Sequence, residues 1–142
     1  AAQSRARGWR DALVQIGAEV PPVYIGDWNA DSGYQAGLAL AHEEDCTAVY
    51  AANDQMAYGA MQGLQAAGKR VPEDVSIIGV DDSLEGMVPR LGLTTLRLRF
   101  HDVGREAFTM IEKQRNGEKI PSGIKTVIPP EFVDRGSVRE IR

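Results

Sequence analysis

The chain has 142 residues, 43% of them apolar and 25% charged, with one cysteine and a formal net charge of −4. That is one domain's length, enough to bury roughly 68–70% of the surface an unfolded chain exposes. The lone Cys46, expected as a half-buried thiol, excludes an intrachain disulfide, and the interspersed, net acidic charge excludes a general nucleic-acid-binding surface, which needs a basic footprint.

The opening Ala1-Ala2-Gln3-Ser4 has no initiator methionine and runs at once into a helical pattern, so the chain is expected to be part of a longer polypeptide. Trp9, Ala12, Leu13 and Ile16 recur at helical spacing, which predicts an amphipathic helix over residues 4–16 with Gly17 as its stop. Pro21-Pro22 bars continuation. "VYIGD", residues 23–27, reads as a short strand, and Asp31-Ser32 offers cap chemistry for a second helix with Leu38 and Ala41 on its buried face. "TAVYAA", residues 47–52, is the next strand. Met56, Ala57, Ala60, Met61, Leu64 and Ala67 form the stripe of a third helix that ends at Gly68.

"VSIIGV", residues 75–80, is a buried strand that runs into Asp81-Asp82. After a Gly- and Pro-rich stretch comes "LTTLRL", residues 93–98, another strand. Val103, Ala107, Met110 and Ile111 mark a last helix, stopped by Asn116-Gly117, and the tail carries two β-like runs, "IKTVI" and "EFVDRGSV", around Pro129-Pro130. No apolar run reaches the roughly 18–20 residues that span a bilayer. Strand alternating with helix predicts an α/β fold, a parallel sheet covered by helices on both faces.

In such sheets ligands bind outside the carboxyl ends of the strands. Here three predicted ends carry polar groups: Asp27-Trp28-Asn29, Asn53-Asp54-Gln55 and Asp81-Asp82-Ser83. Each has a plainer reading, since Asn and Asp are good helix caps and a lone tryptophan is most often a packing residue. Capping, however, does not require an indole beside adjacent carboxylates. A carboxylate accepts from two vicinal hydroxyls, an amide donates and accepts, and an indole face packs on a pyranose or a base. Arg5 can add a forked donor, or it can be an ordinary solvated helix residue. Catalysis is poorly supported: His42 and His101 lie away from the strand ends, and two His and one Cys at unrelated spacings make no zinc site, so no cofactor is expected. A Mg²⁺ module built on Asp54, Asp81 and Asp82 is the alternative from another class, though no predicted strand ends in the Lys it needs.

The strings "GDWNADSGYQAG", "AVYAANDQMAYGAMQGLQAAGKRVPEDVSIIGVDD", "LTTLRLRF" and "DRGSV" are similar to the effector-binding domain of the LacI/GalR family of bacterial transcriptional repressors, over about Arg5 to Ser137. The resemblance implies a subdomain like those of periplasmic sugar-binding proteins. Carried over by position, it implies ligand contacts from Arg5, Trp28, Asn53, Asp81 and Phe100. A homodimer is implied too, through Met56 to Gln65 and Leu84 to Val88, with Met56, Tyr58, Gly59, Met61, Leu84 and Met87 at the interface. Residues 1–98 would be most of one subdomain, 99–128 the crossover and a helix returning to the other, and 129–142 the tail.

Leu98, Val80 and Leu91-Gly92 depart from the family's usual glutamine, aromatic and double proline. The first half of the cleft and the helix-turn-helix would precede this segment, leaving Phe108 and Met110 without their cover. The expected function is cytoplasmic sensing of a small effector, a sugar, sugar phosphate or purine, by a regulator that reaches operator DNA only through the preceding segment. A periplasmic sugar-binding protein of the same fold is the alternative within the architecture.

Overall fold

The computed structural model describes residues 2–141. Helix α1 spans Ala2–Gln15, α2 Ala30–Leu40, α3 Asp54–Ala66 and α4 Phe100–Arg115, while the strands are β1 Ala48–Tyr50, β2 Ser76–Asp81, β3 Thr94–Arg97 and β4 Glu131–Val133. The predicted glycine stops are present. Gly17, Gly68 and Gly117 all have positive φ (71°, 85° and 83°). Just beyond them the Ala18, Lys69 and Glu118 amides donate back to the Leu13, Leu64 and Lys113 carbonyls at 2.9, 2.9 and 3.0 Å, which satisfies carbonyls that the last helical turn leaves orphaned.

The sheet runs in the order β1-β2-β3-β4. β1, β2 and β3 are parallel, with Tyr50 opposite Ile78 and Asp81 opposite Arg97. The expectation of a parallel sheet needs one amendment, because β4 pairs antiparallel with β3 and sets Phe132 against Leu96. The tail beyond β4 is sewn to the sheet by several bonds: Asp134 Oδ1 accepts from Thr94 Oγ1 at 3.1 Å, the Arg135 amide donates to Thr94 Oγ1 at 3.0 Å and the Arg139 amide to Ser76 Oγ at 3.1 Å, and Ser137 bridges two strands. Ser137 Oγ donates to the Ile77 carbonyl at 2.6 Å and accepts from the Thr94 amide at 2.8 Å, while the Ser137 carbonyl accepts from the Ile77 amide at 2.8 Å.

The core gathers Ala51, Ala57, Ala60, Met61, Leu64, Val75, Ile77 and Leu93, with Cys46 half-buried against it. α3 supplies four of these residues and packs on β2, and α2 stacks on α3. Two pairs of glycines let α2 and α3 approach backbone to backbone: a Cβ on Gly33 or Gly37 would collide with the Met56 or Ala60 carbonyl, and one on Gly59 or Gly63 with the Ala30 or Tyr34 carbonyl. α1 and α4 bury no residue. The predicted stripe of α1 is therefore only partly covered, Trp9 and Leu13 being half-buried and Ala12 and Ile16 exposed, and the sheet's close cover comes from α3.

Two predicted strands do not form. Residues 23–27 pair with nothing in the sheet. Local side chains take up the backbone donors at their end instead: the Asp27 amide donates to Ser32 Oγ at 3.2 Å and the Asn29 amide to Asp27 Oδ1 at 3.0 Å, a turn chemistry that competes with strand pairing. Ser32 thus serves the loop, and the residue at the N-cap of α2 is Asn29, without a side-chain cap bond. Residues 124–127 lie exposed and Ile128 half-buried between Gly123, at φ 81°, and the proline pair, without a partner strand.

Candidate ligand-binding site

The parallel register carries β1 and β2 to the same edge, so that Asn53 and Asp81 emerge side by side. Asn53 is 8% exposed. Its Oδ1 accepts from the Met56 amide at 2.9 Å, which caps α3, and its Nδ2 donates to the Trp28 carbonyl at 2.9 Å, which ties the loop before α2 to the rim. Arg5 reaches the same place from α1: one nitrogen donates to the Ala52 carbonyl, the other lies 3.0 Å from Asp81 Oδ1, and its Cζ sits 5.9 Å from the Trp28 ring centroid. Four of the five expected ligand contacts are thereby assembled. Phe100 is not among them: it stands 64% exposed at the start of α4 and, like Asn53 and Asp81, lies outside the lining of the cavity beside Arg5.

That cavity, of about 930 Å³, opens between α1, residues 21–28, α2 and β1, and is lined by Arg5, Trp28 and Tyr50 among others. Tyr50 is a neighbour that sequence reasoning missed. Burial raises its pKa, and the charges of Arg5 and Asp81 both act on it.

Backbone strain marks the same rim. Of the four non-glycine residues with positive φ among the described residues, three lie here: Trp28 at 74°, Asp81 at 107° and Asp82 at 57°. Such conformations cost on the order of 1–3 kcal/mol each and persist where the surroundings over-determine them. The Asp81-Asp82 doublet splits as a result. Asp81 faces Arg5, whereas Asp82 turns inward to Arg97 Nε at 2.6 Å and Arg135 Nη1 at 2.7 Å, the latter contact lacking hydrogen-bond alignment. Arg135 first and then Arg97 hold the Asp82 carboxyl below its usual range, and both arginines also reach Glu85, at 3.1 Å.

Asp54 is 1% exposed and accepts from Thr95 Oγ1 at 2.6 Å and from the Ser83 amide at 2.9 Å; burial pushes its pKa up. The three carboxylates of the Mg²⁺ alternative therefore have three separate sets of partners. Among the described residues no group of three or more His, Cys, Asp or Glu side chains is placed to hold a metal ion.

The expected dimer residues are divided. Gly59, Met61 and Leu84 are buried within this chain, Gly59 against α2 and Met61 in the core. Met56 and Tyr58 are half-buried and Met87 is exposed.

Residues 1–138 match the family model of the periplasmic binding protein-like domain. The chain is 34% identical over 140 residues to the HTH-type transcriptional repressor CytR of Escherichia coli (strain K12), which covers 96% of this chain and 41% of that protein. A structure of the Lac repressor bound to ONPG in the repressed state superposes with a TM-score of 0.85 at 30% identity, over 96% of this chain and 42% of that one. A complex of the transcriptional regulator CelR with cellobiose gives 0.79 at 33% identity, over 94% and 41%. The chain spans about two fifths of the length of these relatives. No helix among the described residues is long and apolar enough to cross a membrane. The match along nearly the whole chain agrees with the sheet and rim already described, and the chain belongs to the periplasmic binding protein-like domain family, in the form found in the effector-binding domain of LacI-type repressors.

Proposed function

We propose that this chain is one wall of the effector-binding cleft of a LacI-type transcriptional regulator acting in the cytoplasm, and that it binds a small polyhydroxylated ligand, a sugar, without catalysing a reaction. The observation that carries this reading is the convergence of Arg5, Trp28 and Asp81, with Arg5 3.0 Å from the carboxylate and 5.9 Å from the indole centroid. A fork of donors, a carboxylate and an aromatic face are complementary to vicinal hydroxyls and to the apolar face of a pyranose. CelR in complex with cellobiose supports the ligand class, and the name of CytR supports the regulatory role. Operator binding would belong to another segment of the longer polypeptide. Ligand would act by favouring one pose of the dimer over another, which requires different affinities for the two.

The test is a tryptophan-fluorescence titration with cellobiose, lactose, monosaccharides, sugar phosphates and purines, using Trp28→Phe to separate Trp28 from Trp9. Saturable quenching by a sugar that disappears in Trp28→Phe supports the reading. Quenching by purines alone replaces the ligand class, and silence across the panel from the longer polypeptide that carries both walls of the cleft rejects the site.

A further inference from the structure

We propose that Asp54 is the positioning residue of this site: its carboxylate clamps the Ser83 amide and the Thr95 hydroxyl, and so holds the Asn53 amide and the Asp81 carboxylate in their places on the rim. The inference rests on reading that rim as a ligand site. Asp54 directly follows the cap residue Asn53 and opens α3. Its Oδ2 accepts from the Ser83 amide at 2.9 Å, two residues beyond Asp81, and its Oδ1 accepts from Thr95 Oγ1 at 2.6 Å, two residues before the register partner of Asp81, Arg97. One side chain thus joins the start of α3, the turn after β2 and strand β3. Gly79 makes the room, since a Cβ there would collide with Asp54 Oδ1.

The turn needs such a tie. Asp81 and Asp82 are both at positive φ, and L residues stay there only where neighbours hold them. Arg97 and Arg135 secure Asp82 from one side; Asp54 secures the next residue, Ser83, from the other. A carboxylate is a poor choice for filling interior space, because an apolar side chain packs there without desolvating a charge. What the position requires is two hydrogen-bonding atoms a carboxyl width apart. An asparagine meets that requirement by accepting from Ser83 and donating to Thr95, whose hydroxyl can reverse.

The experiment compares wild type, Asp54→Ala, Asp54→Asn and Thr95→Val by amide hydrogen exchange, by the Arg5 guanidinium NMR signal, which reports the pairing with Asp81, and by titration with cellobiose and lactose. In Asp54→Ala, exchange at Asp82 to Leu84 should rise about tenfold or more while Leu64 and Ile77 stay protected. The Arg5 signal should move toward that of Asp81→Asn, and the sugar response should weaken about tenfold. Asp54→Asn restores all three, which a generic packing role would not require. Should Asp54→Ala fail to fold, Thr95→Val removes one of the two bonds and should raise exchange at Asp82 to Leu84 about threefold.

Wild-type exchange and an unmoved Arg5 signal in both Asp54→Ala and Thr95→Val overturn the clamp, whatever the sugars do. A loosened turn with undiminished sugar affinity overturns the positioning role. A loosened turn and a shifted Arg5 signal in a protein whose wild type binds no sugar support the clamp and reject the ligand reading instead.

Discussion

Arg5 and Asp81, 76 positions apart in the chain, meet at 3.0 Å on the rim of the sheet, where each side chain keeps about a quarter of its surface in water (22% and 25%). A pair this exposed is worth roughly 0–1 kcal/mol to stability, and on the proposed reading its role is to face the ligand. Arg5→Gln is expected to move the urea midpoint by no more than that amount while weakening sugar binding about tenfold or more. A loss of stability above about 2 kcal/mol with unchanged binding would assign the pair to the fold instead.

The contact between α2 and α3 depends on hydrogen at four α-carbons. Gly59→Ala forces a methyl group into the Ala30 carbonyl, and overpacking of this kind costs about 1–3 kcal/mol. Gly104→Ala is the control, a helix-interior site with nothing within 4 Å of the added carbon, where the same change should stabilise by about 0.5–1 kcal/mol. Urea unfolding of the two variants should shift in opposite directions.

Ser137 is 2% exposed and is the one tail side chain that bonds both β2, through the Ile77 carbonyl, and β3, through the Thr94 amide, among the described residues. Ser137→Ala leaves the Thr94 amide without its acceptor and the Ile77 carbonyl without this donor. A loss of about 1–3 kcal/mol is expected, with faster amide exchange at Thr94 first. Normal protection of Thr94 in the variant would show that the tail is held by other means.

Asp54 and Asp82 respond to pH with opposite signs. Burial raises the Asp54 pKa above its ordinary 3.8, so its stabilising contribution is complete below 3.8 and is lost as pH rises through the raised value. Ion pairing with Arg135 and Arg97 lowers that of Asp82, whose contribution is present above 3.8 and lost as pH falls through the depressed value. Asp54→Asn should therefore gain on wild type as pH climbs above 3.8. Asp82→Asn should cost about 1–3 kcal/mol near neutrality, the arginines being partly solvated, and the cost should shrink in acid. Unfolding midpoints measured across pH will separate the two, and parallel profiles for both variants would contradict this assignment.

The elements legible in the sequence were those whose signal is local. α3 has its apolar stripe and Gly68, and β2 its unbroken apolar run, and both stand where the pattern puts them. Residues 23–27 have the composition of a strand, but strand propensity is realised only against a partner, and Asp27 and Ser32 offered the backbone a closer alternative. At the rim, Asn53 and Asp81 were legible because parallel strands deliver their ends to one edge. The contribution of Thr95 to Asp54 and of Arg135 to Asp82 spans tens of residues and leaves no local trace. Nor does any motif announce that Asp81 and Asp82 take positive φ, since neither is a glycine. Alternation along β3 does place Thr95 and Arg97 on one face, the available hint that both could serve the same edge.

The most direct test of the ligand site is calorimetric titration of cellobiose and lactose into wild type and Asp81→Ala, with urea midpoints measured on the same samples. Saturable heat from at least one sugar with wild type, and its loss in Asp81→Ala at an unchanged midpoint, are expected. Equal binding by Asp81→Ala, or binding of neither sugar by either protein, would contradict the ligand site.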